Sequence, residues 1–139
     1  MLTPYLETIL SKRNLVGEDR ILSERAYRFL EVAKYLMNKE YYDLAIFNME
    51  QFCQLILKSK LLRKVGTYPR THSLLTLINA LNEAVGGELS EFIERETIYL
   101  SSLEDAYIVS RYLPREYGRR EAEMLFSFIE RFEERMRNV

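Results

Sequence analysis

One stretch of the chain, from about Tyr42 to Lys64, is apolar on nearly every side when it is read as an α-helix. Its apolar residues are Leu44, Ala45, Ile46, Phe47, Met49, Phe52, Cys53, Leu55, Ile56, Leu57, Leu61 and Leu62. An ordinary surface helix shows a single apolar face, whereas a helix of this kind is buried on several sides, in a bundle or at a subunit interface. We therefore expect a central helix with other helices packed around it.

The rest of the sequence also has helical periodicity, and no strand pattern or internal repeat competes with it. A short helix is predicted at about 4–13, and longer helices are predicted at about 18–38, 42–64 and 88–110. A further helix begins at a cap formed by Thr71 or Ser73 and ends at Gly86-Gly87, and the last helix follows Gly118. Short connections make consecutive helices pack antiparallel. The prediction is an all-α, up-and-down antiparallel bundle of about five helices, formed by a single domain over residues 1–139.

Between Gln51 and Asn82 the chain contains no Asp or Glu, although its net charge is only −1 and acids are common elsewhere. The basic residues of this window are Lys58, Lys60, Arg63, Lys64 and Arg70, and the only histidine, His72, follows them. Such a window predicts a local positive surface beside the turn at Pro69. A surface of this kind suits an anionic ligand such as a nucleotide or an RNA phosphate.

Several kinds of site are disfavoured by composition. With one histidine and Cys53 as the only cysteine, the chain has neither a structural zinc site nor an intrachain disulfide, and it lacks a glycine-rich phosphate loop. We expect no metal and no cofactor, and most conventional enzyme classes are disfavoured. A single cysteine, no signal-peptide pattern and no membrane-spanning stretch together fit a cytoplasmic protein.

Several short motifs resemble the HEPN domain family (higher eukaryote and prokaryote nucleotide-binding). They are Tyr42–Ala45, Phe47–Gln51 with the downstream Lys58, the turn Pro69-Arg70-Thr71-His72-Ser73-Leu74, and Ala106–Pro114. The family shows a Gln-rich patch followed by Lys, a Pro-[Arg/Lys]-Thr-His-[Asp/Ser]-Leu turn, and a second region with an Arg-Tyr-Pro-like sequence. The resemblance covers about residues 18–139.

This resemblance implies an all-α bundle that is usually dimeric and is often encoded beside a small nucleotidyltransferase. Some relatives are ribonuclease toxins that carry an Arg followed, after four to six residues, by a His. Here Arg63 lies too far before His72, Arg70 lies too close to it, and no histidine follows Arg111. The ribonuclease motif is therefore missing or degenerate, and catalysis is not carried over. Asn48 also stands where many relatives have His.

His72 and Arg70 have two readings. Either His72 is a helix-start residue bonded to nearby polar groups, or both residues bind phosphate at a helix N-terminus, where backbone N–H groups and the helix dipole favour anions. The cations Lys58, Lys60, Arg63 and Lys64 are likewise either solvated helix-end residues or a nucleic-acid patch. Tyr68 would stack on a base in the second reading.

Asn48, Gln51 and Lys58 share one face of the central helix, as a buried hydrogen-bond network or as the wall of a ligand groove. Glu50 and Gln54 form the adjacent stripe and are expected to be exposed. Arg111 either has a structural role, capping carbonyls or pairing with Glu116, or points at a phosphate. Five phenylalanines are expected in the core or a dimer interface: Phe47, Phe52, Phe92, Phe126 and Phe132.

The sequence therefore predicts a cytoplasmic, homodimeric helical module that binds a nucleotide, RNA or a partner nucleotidyltransferase, as in a two-component toxin–antitoxin system. Its predicted ligand-binding residues are Asn48, Gln51, Lys58, Arg70, His72 and Arg111. One alternative is a metal-independent ribonuclease toxin that would use Arg111, Tyr117 and His72, with an Arg stabilising the phosphorane-like charge. The other alternative is a non-catalytic helical dimerisation adaptor.

Overall fold

The computed structural model describes residues 17–113 and 115–139, and this part of the chain forms a bundle of helices. The helices are α1 (Glu18–Asn38), α2 (Tyr42–Val65), α3 (Leu74–Ala84), α4 (Ser90–Tyr112) and α5 (Arg119–Arg137). The predicted all-α fold and its five main helices are confirmed, with ends within a few residues of the predicted ones. The short helix expected at about 4–13 lies outside the described residues.

Helix α2 is the centre of the bundle, as its apolar pattern predicts. It packs against each of the other four described helices. Ala45, Ile46, Met49, Phe52 and Leu57 are fully buried along its length. A helix that contacts neighbours on all sides needs apolar residues all round, and this explains why it has no single hydrophobic face.

The first two helices run antiparallel. The Ser59 hydroxyl near the end of α2 donates to the carbonyl of Asp19 at the start of α1, at 2.7 Å. Arg63 lies 3.7 Å from the Asp19 carboxylate. At the same end of α2, Lys60 donates to the carbonyl of Val139, which follows α5. The end of α2 is thereby linked to both the first and the last described helix.

The residues that end one helix and begin the next were predictable from local chemistry. Gly66 follows α2 with φ 81°, the left-handed conformation that glycine adopts without strain, and its N–H bonds back to Leu62. Ser73 caps α3 by accepting a hydrogen bond from the Thr76 N–H at 3.2 Å. These caps fix the turn that carries Arg70 and His72 beside α2.

Aromatic side chains fill the core between α2, α4 and α5. Phe52, Phe92 and Phe132 are buried as expected, whereas Phe126 is only half-buried. The sequence reading missed Phe128, which is fully buried and lies 5.9 Å from Phe132, ring centre to ring centre. Phe128 is one turn before Phe132 on the inner face of α5, so it takes the core position that was assigned to Phe126.

A buried ion pair joins α4 to α5. The Glu96 side chain is 2% exposed, and Arg131 donates to its two oxygens at 2.7 and 2.9 Å. Arg131 also lies over the ring of Tyr99, at 5.1 Å from its centre. Such a forked contact compensates for the removal of the carboxylate from water. Within the described ranges, no helix is long and apolar enough to cross a membrane.

Candidate functional site

Polar and aromatic side chains from three elements meet on one side of α2. They come from α2 itself, from the turn between α2 and α3, and from the C-terminal half of α4. The polar cluster, as we call it, consists of Glu50, Gln54, Lys58, His72, Tyr107 and Arg111.

Glu50 forms the buried end, and its burial contradicts the sequence-based expectation that Glu50 and Gln54 are exposed. Glu50 has no exposed surface, and Gln54 is only 4% exposed. The Glu50 carboxylate accepts hydrogen bonds from the amides of Gln51 (2.8 Å) and Gln54 (2.5 Å). Burial raises the pKa of Glu50 to about 7, because the charged form loses its hydration.

Gln54 connects the Glu50 carboxylate to the side chains of Lys58 and His72. Its Oε1 lies 3.2 Å from Nζ of Lys58 and 3.4 Å from Nδ1 of His72. Lys58 is half-buried and covers the ring of Tyr68 at 5.3 Å, and burial lowers the pKa of its ammonium group. Lys58 is therefore part of the network and not a solvated helix-end cation.

Two rings stack on the buried ring of Tyr107. The imidazole of His72 stacks on Tyr107, with ring centres 5.2 Å apart, and Phe47 stacks on the same tyrosine at 6.1 Å. Arg111 donates to the Tyr107 hydroxyl at 2.6 Å. Its guanidinium is thus held from behind by an aromatic ring while the residue stays exposed. Among the described residues Arg111 forms no ion pair, so the predicted pairing with Glu116 is absent.

The N-terminus of α3 is already occupied by a carboxylate. Glu104 of α4 accepts from the Ser73 hydroxyl (2.5 Å) and from the backbone N–H of Leu75 (3.3 Å). An acid at this position satisfies the helix dipole, so a phosphate bound by the same N–H groups would meet a negative charge. Arg70 and His72 stay exposed nearby. Any anion that they bind lies beside this helix end and not on it.

The basic residues of the acid-free window do not form one surface. Lys58 turns towards Tyr68 and Gln54, Lys60 bonds to Val139, and Arg63 approaches Asp19 on α1. Burial lowers the pKa of Lys60, and the neighbouring charges of Arg63 and Lys64 lower it further, so these three cations lie close together. Lys58, two residues before Lys60, leaves α2 on another side. The predicted positive surface is therefore divided, with Lys58 apart from the other three.

A cavity of about 320 Å³ adjoins the exposed end of the polar cluster. Its lining residues are Asp43, Leu44, Phe47, Ser110, Arg111, Leu113 and Arg115. Arg115 is already paired with Glu121 at 3.0 Å, and Asp43 adds a negative charge. Arg111, the Ser110 hydroxyl and the Phe47 ring are the groups that suit a phosphate with an attached planar group. Arg115 was not singled out from the sequence.

Three predicted site residues, Asn48, Arg70 and Tyr117, lie apart from the polar cluster, and Arg70 is exposed on the turn before α3. The Asn48 amide donates to the carbonyl of Leu44 on its own helix, at 2.7 Å. Tyr117 borders a second cavity, together with Tyr99, and Arg115 covers its ring at 4.4 Å. Burial raises the pKa of Tyr117. The structure thus brings Lys58, His72 and Arg111 into one network, with Gln51 bonded to its buried carboxylate.

Sequence reasoning missed three members of the network: Glu50, Gln54 and Tyr107. Glu50, Gln54 and Lys58 are spaced four residues apart, so they form a single stripe along α2. An acid, an amide and a base in such a stripe satisfy one another, which allows them to be buried. This spacing was the available signal. Nothing in the sequence pattern pairs Tyr107 with His72.

The comparisons with known proteins agree with the fold. A family model described as the HEPN domain matches residues 20–139, which include all members of the polar cluster. No curated protein and no solved structure matches the chain.

Proposed function

This chain belongs to the HEPN domain family, and from that premise we propose that it is a cytoplasmic helical module that binds a nucleotide or RNA. The ligand lies against the exposed end of the polar cluster and in the adjoining cavity. The bound phosphate is held by Arg111, and Arg70, His72 and Lys58 add positive charge or hydrogen bonds around it.

The observation that carries this proposal is the state of Arg111. It is exposed, it has no carboxylate partner among the described residues, and Tyr107 fixes its guanidinium by a 2.6 Å hydrogen bond and by ring contact. A guanidinium that is already ordered loses little rotational freedom when it binds a phosphate. Most arginines that form ion pairs within the described part of the chain instead face glutamates, as Arg20, Arg119 and Arg137 do.

Replacing Arg111 with Ala is expected to weaken binding of a labelled single-stranded RNA about 10- to 100-fold, because charge-assisted hydrogen bonds to phosphate are lost. The dependence of affinity on salt should also become shallower, since one phosphate contact fewer releases fewer counterions. Fluorescence anisotropy at several salt concentrations measures both effects. Arg70→Ala, which removes an unanchored charge, should have a smaller effect.

Arg28→Ala is the matched control, because Arg28 is an exposed arginine of α1 that contacts no member of the polar cluster. It should bind RNA as the natural chain does. Equal affinities for the Arg111→Ala variant and the natural chain would refute the role of Arg111. Binding of a mononucleotide but not of RNA would keep the site and narrow its ligand.

The proposal includes assembly as a homodimer. Around the cavity, Leu44, Ile108, Tyr112 and Leu113 expose between 52% and 73% of their surface. Ile108 and Tyr112 lie one turn apart on α4, and Leu44 and Leu113 line the same cavity. An exposed apolar group of this kind favours a protein interface. A second chain at this face would bring two copies of Arg111 towards one groove.

Tyr112→Glu is expected to shift the protein from dimer to monomer, because it buries a charge in the interface. Size-exclusion chromatography with light scattering measures the change. Ile98→Glu is the control, since Ile98 is also an exposed apolar residue of α4 but borders the other cavity. A natural chain that is monomeric at high concentration would contradict the proposed dimer.

The resemblance of the turn and of the Gln51–Lys58 stripe to the family also supports a partner: a small nucleotidyltransferase in a two-component, toxin–antitoxin-like pair. Its most direct test is co-expression with the product of an adjacent gene, if that gene encodes such an enzyme. Joint elution on size exclusion would support the pairing, and separate elution of two folded proteins would oppose it.

Ribonuclease activity is the second candidate, and one observation favours it: His72 and Arg111 both contact Tyr107 although they are distant in sequence. A base and a phosphate-binding arginine are the groups that a metal-independent cleavage requires. Tyr117 lies with the other cavity and is not part of this pair. Shortening of the RNA during the titration, in the presence of EDTA and lost in Arg111→Ala, would select this candidate.

A further inference from the structure

The buried Glu50 carboxylate lacks the cation that its counterpart in this chain possesses. Glu96 is equally buried, and Arg131 neutralises it with a forked contact. Glu50 instead has two amide donors and no ion pair among the described residues. Amides satisfy a carboxylate less completely than a guanidinium does, so Glu50 destabilises the bundle relative to a neutral residue. The contacts of Glu50 indicate a role in orienting its neighbour Gln54.

Lys58 shows which way the Gln54 amide faces. The oxygen and nitrogen of an amide have similar shapes, so neighbouring groups decide which atom faces which way. An ammonium group only donates hydrogen bonds, and therefore the Gln54 atom 3.2 Å from Nζ of Lys58 is the oxygen. The amide nitrogen then faces Glu50, which as a carboxylate accepts from it. Lys58 is only half-buried and can turn to water, so the fully buried Glu50 carboxylate is the group that keeps Gln54 in this orientation.

This orientation determines the tautomer of His72. The amide oxygen of Gln54 only accepts hydrogen bonds, so Nδ1 of His72, 3.4 Å away, donates to it. A neutral imidazole has a single N–H, and Nε2 therefore keeps its lone pair. His72 is exposed, and within the described ranges Nε2 has no hydrogen-bond partner. It is free to accept a hydrogen bond from outside the protein.

We propose that Glu50 is a positioning residue that orients the amide of Gln54. In this orientation the Gln54 oxygen accepts from Lys58 and from the Nδ1–H of His72. His72 then presents Nε2 to the ligand as a hydrogen-bond acceptor. This inference rests on the proposed function. It also refines the ligand chemistry: an acceptor beside a phosphate-binding arginine favours a ligand with a hydroxyl donor next to its phosphate. The ribose 2′-hydroxyl of RNA is such a donor, and DNA lacks it.

The tautomer is measurable without any ligand, because His72 is the only histidine of the chain. Long-range ¹H–¹⁵N spectra of tag-free protein at pH 8 should show the proton on Nδ1. In Glu50→Gln the new amide can donate to Gln54 or accept from it, so the Gln54 amide can flip and present its nitrogen to His72. The spectra of this variant should therefore show the Nε2–H tautomer or a mixture of the two tautomers. The exchange Glu50→Gln with Gln54→Glu should restore Nδ1–H, because a carboxylate at position 54 again accepts from His72 and Lys58.

The second readout is the preference for RNA over DNA of the same sequence at pH 8. Glu50→Gln should lower RNA affinity about three- to tenfold, as expected when the competent state of His72 is populated a third to a tenth of the time. DNA affinity should change less, so the preference shrinks, and the exchanged double variant should regain it. Glu31→Gln, an exposed carboxylate of α1, is the control with unchanged values.

The two proposals fail in different ways. An Nε2–H tautomer in the natural chain, or a tautomer unchanged in Glu50→Gln, would overturn the positioning role even if RNA binds tightly. An RNA preference that is the same in the natural chain and in Glu50→Gln would also overturn it. Failure of the natural chain to bind RNA or nucleotide at any salt concentration would instead refute the proposed function, while the spectra still decide the role of Glu50.

Discussion

Replacing Arg131 with Met is expected to lower the free energy of unfolding by about 2 to 3 kcal/mol, because it leaves the Glu96 carboxylate buried without a cation. The methionine keeps most of the apolar stem of Arg131, so the loss reports the missing charge and its contact with the Tyr99 ring rather than a cavity. The value lies at the lower end of the range for buried pairs, since the Arg131 side chain is 41% exposed. Urea unfolding followed by circular dichroism measures it.

The same glutamate supplies the control. Arg95 also approaches Glu96, but at 3.8 Å and with 61% of its side chain exposed. Surface ion pairs of this geometry contribute little, and Arg95→Met should change the stability by less than about 0.5 kcal/mol. The double variant Glu96→Leu with Arg131→Met should recover most of the lost stability, because no charge is then left buried. Equal losses for Arg95→Met and Arg131→Met would show that the forked contact has no special role.

The fold followed from the sequence because its main signals are local. The apolar pattern of α2 requires neighbours on every side, and Gly66 and Ser73 end and begin helices through their own backbone chemistry. These signals do not depend on distant residues. Phe128 was missed for a related reason: Phe126 and Phe128 both have plausible spacing, and only the packing of α5 against Phe92 and Tyr99 of α4 chooses between them.

The polar cluster was harder to predict, because polarity was taken as a sign of exposure. Glu50 and Gln54 are buried since they satisfy each other at a spacing of one helical turn, and the apolar residues around them belong to other helices. The stacking of His72 on Tyr107 depends on how α4 packs against α2. Such a contact between distant parts of the chain leaves no periodic signal.

The predicted positive surface is divided for a geometric reason that the sequence already contained. Lys58 and Lys60 are two residues apart, which places them about 200° apart around a helix axis. A window without acids therefore gives charge in several directions rather than in one. Acids from other elements, such as Asp19 opposite Arg63, then neutralise part of it. The proposed ligand site combines Arg111, outside the window, with Lys58 and the turn residues Arg70 and His72 from within it.

Glu50→Gln is expected to gain stability relative to the natural chain as the pH rises. Burial raises the pKa of Glu50 from 4.5 to about 7 in the folded protein, so the folded state binds a proton more tightly than the unfolded state. Between these two pKa values the unfolded state releases that proton first, and the natural chain loses stability with rising pH. Above about pH 7 the loss is complete, because Glu50 is then charged in both states.

The difference in unfolding free energy between Glu50→Gln and the natural chain should therefore move in favour of the variant by about 2 to 3 kcal/mol between pH 5 and pH 8. Other groups that face Glu50, namely Lys58 on α2 and Glu104 on α4, are present in both proteins, so their titration largely cancels. Urea unfolding at several pH values gives the difference directly, and Glu31→Gln, which changes an exposed residue of α1, is the control variant. A difference that stays flat for Glu50→Gln would mean that the buried carboxylate keeps its ordinary pKa. If Glu50→Gln is more stable than the natural chain at pH 8 but has a weaker preference for RNA, then Glu50 serves ligand binding at a cost in stability. A residue that served only stability would give a less stable variant when it is replaced.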